Sequence, residues 1–364
     1  MVRGSAALSC WVGAVRGADG ALVEQLARRL AETGIIVRAA EDRRSDAAVS
    51  SLPRVLVAGR VDPALRAAVE EHSASVRARL LVVIRDLVDT ESSWDLLHRG
   101  ACDVLVWQTE HTVAAIEARL ARWHHVDKLV DSDAVTGRLV GTSPSWRSAL
   151  RRIVEIARFT SSAMLVIGES GTGKELVAQL FHHLDARTDK EDLVVVDCTT
   201  VVPSLSGSEF FGHDRGAFTG AVTAREGAFS AAHRGTLFLD EVGELPMPLQ
   251  AELLRVVQEG TYKRLGSNVW QHTRFRLVSA TNRNLQAELT AGRFRQDLYY
   301  RLAANVVQLP PLRERREDIV PLFRHFLVEL SGAALELDRA VVSLLLRRDY
   351  PGNVRDLKQL AARV

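Results

Sequence analysis

The sequence is short of cysteine, of lysine and of long apolar runs, and each shortage closes off a class of function. Its three cysteines, Cys10, Cys102 and Cys198, are far apart and odd in number, with no CxxC pair. Neither a disulfide framework nor a cysteine zinc site fits them, and a reducing cytoplasm is the expected setting. No stretch comes near the roughly 18 apolar residues of a membrane span. The start carries Arg3 and then AALSCWVGAV with no small-residue cleavage pattern, so a first buried strand is preferred to a signal peptide. Charge of one sign is missing too. With 47 basic and 45 acidic residues the net charge is +2, and bulk charge gives no case for nucleic-acid binding. Of the basic set only Lys128, Lys174, Lys190, Lys263 and Lys358 are lysine. A lysine inside a glycine loop therefore stands out.

What is present is an ordinary globular composition, 47% hydrophobic and 25% charged over 364 residues. At roughly 100–200 residues per domain, that length predicts two or three domains. Residues 1–123 alternate short apolar runs with amphipathic stretches. Ser9–Val15, Ile35–Ala39, Arg54–Ala58, Leu80–Ile84 and Val104–Trp107 read as strands. Ala21–Thr33, Pro63–Ser75, Ser92–Gly100 and Thr112–Trp123 read as helices, the last with Val113, Ile116, Leu120 and Trp123 on one face. Such alternation predicts a parallel sheet wound on both sides by helices. The stretch 41–51 takes no clear assignment. Residues 124–137 turn polar (HHVDKLVDSDAVTG) and read as a linker, a helical connector extending the preceding helix in preference to a dimer-forming coiled coil. A larger α/β domain is expected over 138–310, and a helical one over 311–364.

Ala163–Ile167 reads as a buried strand, followed by GESGTGKE and then by a helix with Leu176, Leu180 and Leu184 at helical spacing. Strand, glycine loop, helix is the context of a P-loop. Gly168, Glu169, Ser170, Gly171, Thr172, Gly173, Lys174 and Glu175 are its candidate residues. The glycines let backbone N–H groups turn onto phosphates, the helix N-terminus adds its positive end, and Lys174 reaches for the β and γ phosphates of ATP. One departure is Glu175, where the general pattern has Ser or Thr to ligate Mg²⁺. Further on, GTLFLDEVGEL reads as a strand ending in Asp240 and Glu241. A carboxylate there can hold Mg²⁺, and a second can polarise an attacking water.

Together with LVGTSPSW, SEFFGHDRGAFTGA, SATNRNL, FRQDLYYRL, LPPLRERREDI and YPGNVRDL, these motifs make the chain from about Leu139 onward resemble the central AAA+ domain of sigma-54-dependent activators, the bacterial enhancer-binding proteins. Glu175 after the lysine is usual there. The resemblance implies that Asp240 serves the metal, Glu241 orients water, and Asn282 is the first sensor. It implies that Arg295 and Arg301 are arginine fingers reaching a neighbouring subunit in a ring, and that Arg355 is the second sensor on a helical lid. It also implies that the hexapeptide Gly216, Ala217, Phe218, Thr219, Gly220 and Ala221 tips a loop that grips sigma-54 of the RNA polymerase holoenzyme when ATP is bound. Glycine flanks suit a loop that changes shape between nucleotide states. Two other readings stay open here: a AAA+ remodeller of another target, and a nucleotide-binding regulator with little hydrolysis.

The front domain resembles a response-regulator receiver, a flavodoxin-like fold, through GACDVLVW (100–107). Aligned this way, Trp107 stands at the lysine position and Gly59 at the phospho-acceptor. The first strand ends in Val15 and Arg16 without an acidic pair, and the fourth in Ile84 and Arg85. A receiver-like fold used for contact rather than phosphotransfer is expected, with an unrelated α/β sensor domain as the alternative. Family members continue into a DNA-binding helix-turn-helix, and none is seen in the nine residues after Arg355. DNA binding by this chain alone is therefore not expected. A last departure is Asp197 in VVVDCTT, where the family has asparagine. If Asp197 faced Glu241, repulsion at about 5 Å and a dielectric near 20 would be roughly 3 kcal/mol, and the pair would share a proton as a switch. The alternative is that Asp197 points to solvent or caps a turn.

Overall fold

In the computed structural model, residues 8–15, 20–39, 52–73, 79–86, 89–200, 206–333 and 336–363 are described. The stretch 41–51, Arg16 and the first seven residues lie outside them. The chain divides into two units, Met1–Lys128 and Leu129–Val364.

The first unit contains β1 (Ser9–Ala14), α1 (Gly20–Glu32), β2 (Ile36–Ala39), β3 (Arg54–Ala58), α2 (Pro63–Ser73), β4 (Leu80–Ile84), α3 (Thr90–His98), β5 (Asp103–Val106) and α4 (Glu110–Val130), whose last two residues belong to the second unit. The strands are all parallel in the order β2-β1-β3-β4-β5, the flavodoxin-like arrangement. Because side chains alternate along a strand, the inner strands feed two cores. Cys10, Val12, Val55, Val57, Leu81 and Val83 meet α1 and α4, through Leu22, Leu26, Leu30, Ile116 and Leu120. Trp11, Leu56, Leu80, Val82 and Ile84 meet α2 and α3, through Leu65, Val69 and Leu96. Helix α4 runs past Trp123 to Val130, because Val126 and Val130 continue the buried row through otherwise polar text. At the receiver-like end, the Gly59 carbonyl accepts from the Asp86 N–H at 2.9 Å. Asp62 accepts from the Leu65 N–H at 2.8 Å and so caps α2. Trp107 packs, partly buried, against the α1 and α4 core.

The second unit opens its main fold with α5 (Pro144–Phe159), β6 (Met164–Ile167), α6 (Lys174–Leu184) and β7 (Leu193–Asp197). A small antiparallel pair follows, β8 (Gly212–His213) with β9 (Arg225–Glu226), then β10 (Thr236–Asp240) and α7 (Met247–Glu259). A hairpin, β11 (Thr261–Lys263) with β12 (Trp270–His272), precedes β13 (Arg276–Thr281), α8 (Gln296–Leu302) and β14 (Val306–Gln308). The five-stranded sheet is parallel throughout, ordered β14-β6-β13-β10-β7. One sheet face carries Leu165, Leu237, Leu239 and Leu277 into a core with Phe210, Phe229, Leu253 and Leu298. A helical lid completes the chain: α9 (Ile319–Ser331), α10 (Arg339–Arg347) and α11 (Asn353–Ala361), packed about Phe323, Phe326 and Leu357. No helix among the described residues is long and apolar enough to cross a membrane.

Burial sorts the cysteines. It pushes the Cys10 thiol up to about 12 and raises that of Cys198 as well, whereas Cys102 is exposed. Thiolate is the reactive form. A disulfide-exchange titration of the native protein should thus count a single fast thiol at Cys102, and all three only after unfolding. Fast native labelling of Cys198 would contradict the packing of β7.

Candidate functional site

Parallel strands leave their carboxyl ends along one edge, where ligands of α/β sheets bind. Three adjacent ends meet there. β6 runs into the glycine loop, β10 into Asp240 and Glu241, and β13 into Asn282. The loop is pinned at its start by Gly168, whose N–H donates to the Thr281 carbonyl at 3.1 Å. Thr172 closes it, its hydroxyl donating to the Glu169 carbonyl at 2.8 Å. Gly173 caps α6, so the helix starts at Lys174 with its amide end facing the loop. The inner row of α6 is Val177, Leu180, Phe181 and Leu184. Leu176, expected in that row, is exposed at 46% and lines the cavity instead.

Lys174 is 7% exposed, and its ammonium donates to the Gly168 carbonyl at 3.1 Å and to Glu241 Oε1 at 2.9 Å. The other oxygen of Glu241 accepts from the Asn282 backbone N–H at 2.8 Å. Glu241 holds a left-handed backbone, φ 51°, rare for a residue with a side chain. Such strain persists only where its surroundings over-determine it, and it concentrates at functional sites. Asp240, half-buried, accepts from the Glu241 N–H at 3.0 Å. Burial raises its carboxyl above the usual range; the Lys174 charge opposes this and Glu241 adds to it. A cavity of about 430 Å³ gathers Ser170, Gly171, Gly173, Lys174, Glu175, Asp240, Glu241 and, from the lid, Arg355 and Lys358. Arg355 donates to the Ser170 hydroxyl at 3.3 Å. The pocket sets three cations, Lys174, Arg355 and Lys358, and the amide end of α6 beside three carboxylates, Glu175, Asp240 and Glu241, a fit for a nucleoside triphosphate.

The remaining expected residues lie elsewhere. Arg295 precedes α8 and pairs with Asp297 at 2.7 Å, and Arg301 sits in the last turn of the same helix. Neither lines the phosphate-loop cavity. Gly216–Ala221 forms the turn between β8 and β9, closed by the Gly216 N–H donating to the Ala221 carbonyl at 2.9 Å. Gly216 and Gly220 have φ of 81° and 99° with open space about them, so conformation and not crowding selects glycine there. Phe218 is 38% exposed and meets His213 edge-on at 5.0 Å, outside the core. Support from the β11–β12 hairpin was not legible in the sequence. Asp214 N–H donates to the Leu265 carbonyl at 3.0 Å, and Gly266 lies so close that a Cβ there would stand 2.8 Å from that of Ala217.

Asp197 corrects an expectation. The β7–β10 register sets it beside Asp240, not Glu241. Its carboxylate accepts from the Thr199 N–H at 2.9 Å and the Thr199 hydroxyl at 2.7 Å, while Glu241 is held by Lys174 and Asn282. Asp197 therefore caps a turn, and the proton-sharing pair with Glu241 is absent.

Residues 139–309 match the Sigma-54 interaction domain, and residues 313–364 match the AAA+ ATPase lid domain. The chain is 40% identical over 306 residues to the transcriptional regulatory protein ZraR of Escherichia coli, covering 82% of this chain and 68% of ZraR. It is 46% identical over 228 residues to the Nif-specific regulatory protein of Bradyrhizobium diazoefficiens, covering 62% of this chain and 39% of that one. Among solved structures, NtrX from Brucella abortus, in complexes with ADP and with ATP, is similar at a TM-score of 0.57 and 26% identity, over 98% of this chain. With a phosphate loop, a paired acidic strand end and a helical lid around one cavity, the chain is an ATP-binding AAA+ ATPase and belongs to the family of sigma-54-dependent transcriptional activators.

Proposed function

We propose that this chain couples ATP hydrolysis to remodelling of the sigma-54 RNA polymerase holoenzyme through the Gly216–Ala221 loop, and so opens promoter DNA. The observation that carries the reading is the exposed, glycine-flanked turn held in the same unit as the Lys174–Asp240–Glu241 cavity. Lys174 takes the β and γ phosphates. As its ammonium turns to them it leaves Glu241, which keeps the Asn282 amide and is freed to accept a proton from the attacking water. Asp240 is the residue to hold Mg²⁺, since that ion keeps several waters, takes phosphate oxygens and needs few protein carboxylates. When bound, the ion neutralises charge on the phosphates and draws the Asp240 carboxyl back down. Arg355 reads the nucleotide from the lid, and Asn282 from the end of β13.

Arg295 and Arg301, outside their own subunit's cavity, act on the nucleotide of a neighbour in a ring. The front domain serves contact rather than phosphotransfer, because Gly59 offers no carboxylate. Enhancer DNA binding is not assigned to this chain alone, and its work is cytoplasmic, beside the polymerase. The test is phosphate release measured alongside permanganate reactivity of a sigma-54 promoter. Opening should require hydrolysable ATP, and hydrolysis that never opens the promoter would contradict the proposal. In the same assay turnover per subunit should climb with protein concentration, and Arg301→Ala should lower it by roughly 10³-fold while ATP still binds. Activity that is flat down to monomeric samples would remove the ring.

A further inference from the structure

Glu169 is the second residue of the phosphate loop, yet its carboxylate is taken by the lid. Arg313 donates to it through both terminal nitrogens, at 2.8 and 2.6 Å, in the fork geometry that suits a carboxylate. Asn353, at the start of α11, donates to the same carboxylate at 3.1 Å and to the Ser170 carbonyl at 3.0 Å. From these contacts we infer that Glu169 is a positioning residue and not a phosphate ligand, and that Glu169, Arg313 and Asn353 form a latch fixing the lid over the nucleotide cavity. The inference rests on the reading that this cavity takes nucleotide.

The joint is specified on both sides. Asn353 is 1% exposed, and its Oδ1 accepts from the Leu312 N–H at 2.8 Å, so every polar atom of the side chain is engaged. Its backbone is left-handed, φ 54°, which asparagine and glycine tolerate best. The next residue, Val354, donates its N–H to the Gly171 carbonyl at 3.0 Å. Gly171, at φ 75°, lies so near the lid that a Cβ there would stand 2.1 Å from the Gly352 carbonyl oxygen. Two residues beyond Asn353, Arg355 enters the cavity. The Arg313 guanidinium first, and Asn353 second, hold the Glu169 carboxyl down at about 2. It therefore stays ionised across the neutral range. The Glu169–Arg313 half is open to water, with side chains 45% and 62% exposed, whereas the Asn353 half is buried. One arm is releasable and the other rigid. Opening the releasable arm lets the lid carry Arg355 out of the cavity and quickens nucleotide exchange.

The test separates KM from kcat in the full chain. Glu169→Gln should raise KM for ATP and Kd for ADP about five-fold, with kcat moving less than about two-fold. Its difference from wild type should shrink as salt goes from about 0.05 to 0.5 M, because the arm it removes is a solvent-exposed ion pair. Asn353→Gly keeps the left-handed backbone and should raise KM as well, but with a difference insensitive to salt. Asn353→Asp sets a second carboxylate against Glu169 and should do worst, at about ten-fold or more. The double variant Glu169→Gln with Arg313→Gln should be no worse than either single, as partners in one contact are not additive. Unchanged KM in both Glu169→Gln and Asn353→Gly, a loss confined to kcat, or an additive double would overturn the latch. Lys174→Ala tells the two readings apart: normal nucleotide binding by that variant would overturn the cavity reading, and the latch with it.

Discussion

Glu241→Gln should bind ATP and fail to turn it over, whereas Lys174→Ala should fail to bind. The two residues touch at 2.9 Å, so their separation is a sharp test of which does what. An amide at 241 can still accept from the Asn282 N–H, and it keeps the volume and the backbone. It cannot take a proton from water. General-base loss costs about 10²–10⁴ in rate, and the expectation is the upper end of that range, because the neighbouring carboxylate at the end of β10, Asp240, is the one proposed to hold the metal. Lys174→Ala acts differently. It removes the phosphate-binding charge and also leaves Glu241, 16% exposed, without its cation. The Lys174 charge also restrains the upward shift of the Asp240 carboxyl. Without it that carboxyl rises further, and metal binding weakens along with phosphate binding. Equilibrium binding of a fluorescent ATP analogue, set beside single-turnover hydrolysis, reads both. Turnover by Glu241→Gln within ten-fold of wild type would take the base assignment away from Glu241.

Much of this was legible in the sequence where the determinants are local. A strand, a glycine loop and a helix follow each other without a gap around Lys174, so their meeting needs no tertiary knowledge. The front sheet is written in alternating apolar runs, and the structure places β1 to β5 within a residue or two of them. Past Trp123 the polar text reads as an extension of the helix but does not show where it ends. Helix α4 outlasts Trp123 because Val126 and Val130 are spaced to stay inside. On α6 two apolar rows lie side by side, and the sequence could not say that Val177 and Phe181 go in while Leu176 faces the cavity. Asp197 was unreadable for a different reason. Its neighbour is decided by the register of β7 on β10, and a single pairing step separates Asp240 from Glu241. The contacts of Glu169 with Arg313 and Asn353 span 144 and 184 residues, and nothing local announces them.

Thr219→Ala should abolish sigma-54 engagement while leaving hydrolysis nearly intact. Thr219 is exposed, in a turn closed by backbone bonds that flank it, the Ala221 N–H donating to the Phe218 carbonyl at 3.0 Å. Removing the hydroxyl and methyl breaks none of those bonds, and no residue of the turn lines the ATP cavity. Loss of one interface side chain is large only when it sits at the centre of a contact, and the six-residue loop proposed to make the grip offers few other anchors. The direct measurement is capture of purified sigma-54 by the chain locked with ADP and aluminium fluoride, run beside steady-state phosphate release. The account predicts that wild type retains sigma-54, and that Thr219→Ala retains none while hydrolysing ATP within about two-fold of wild type. Capture by Thr219→Ala equal to wild type, or a collapse of its turnover, would contradict it.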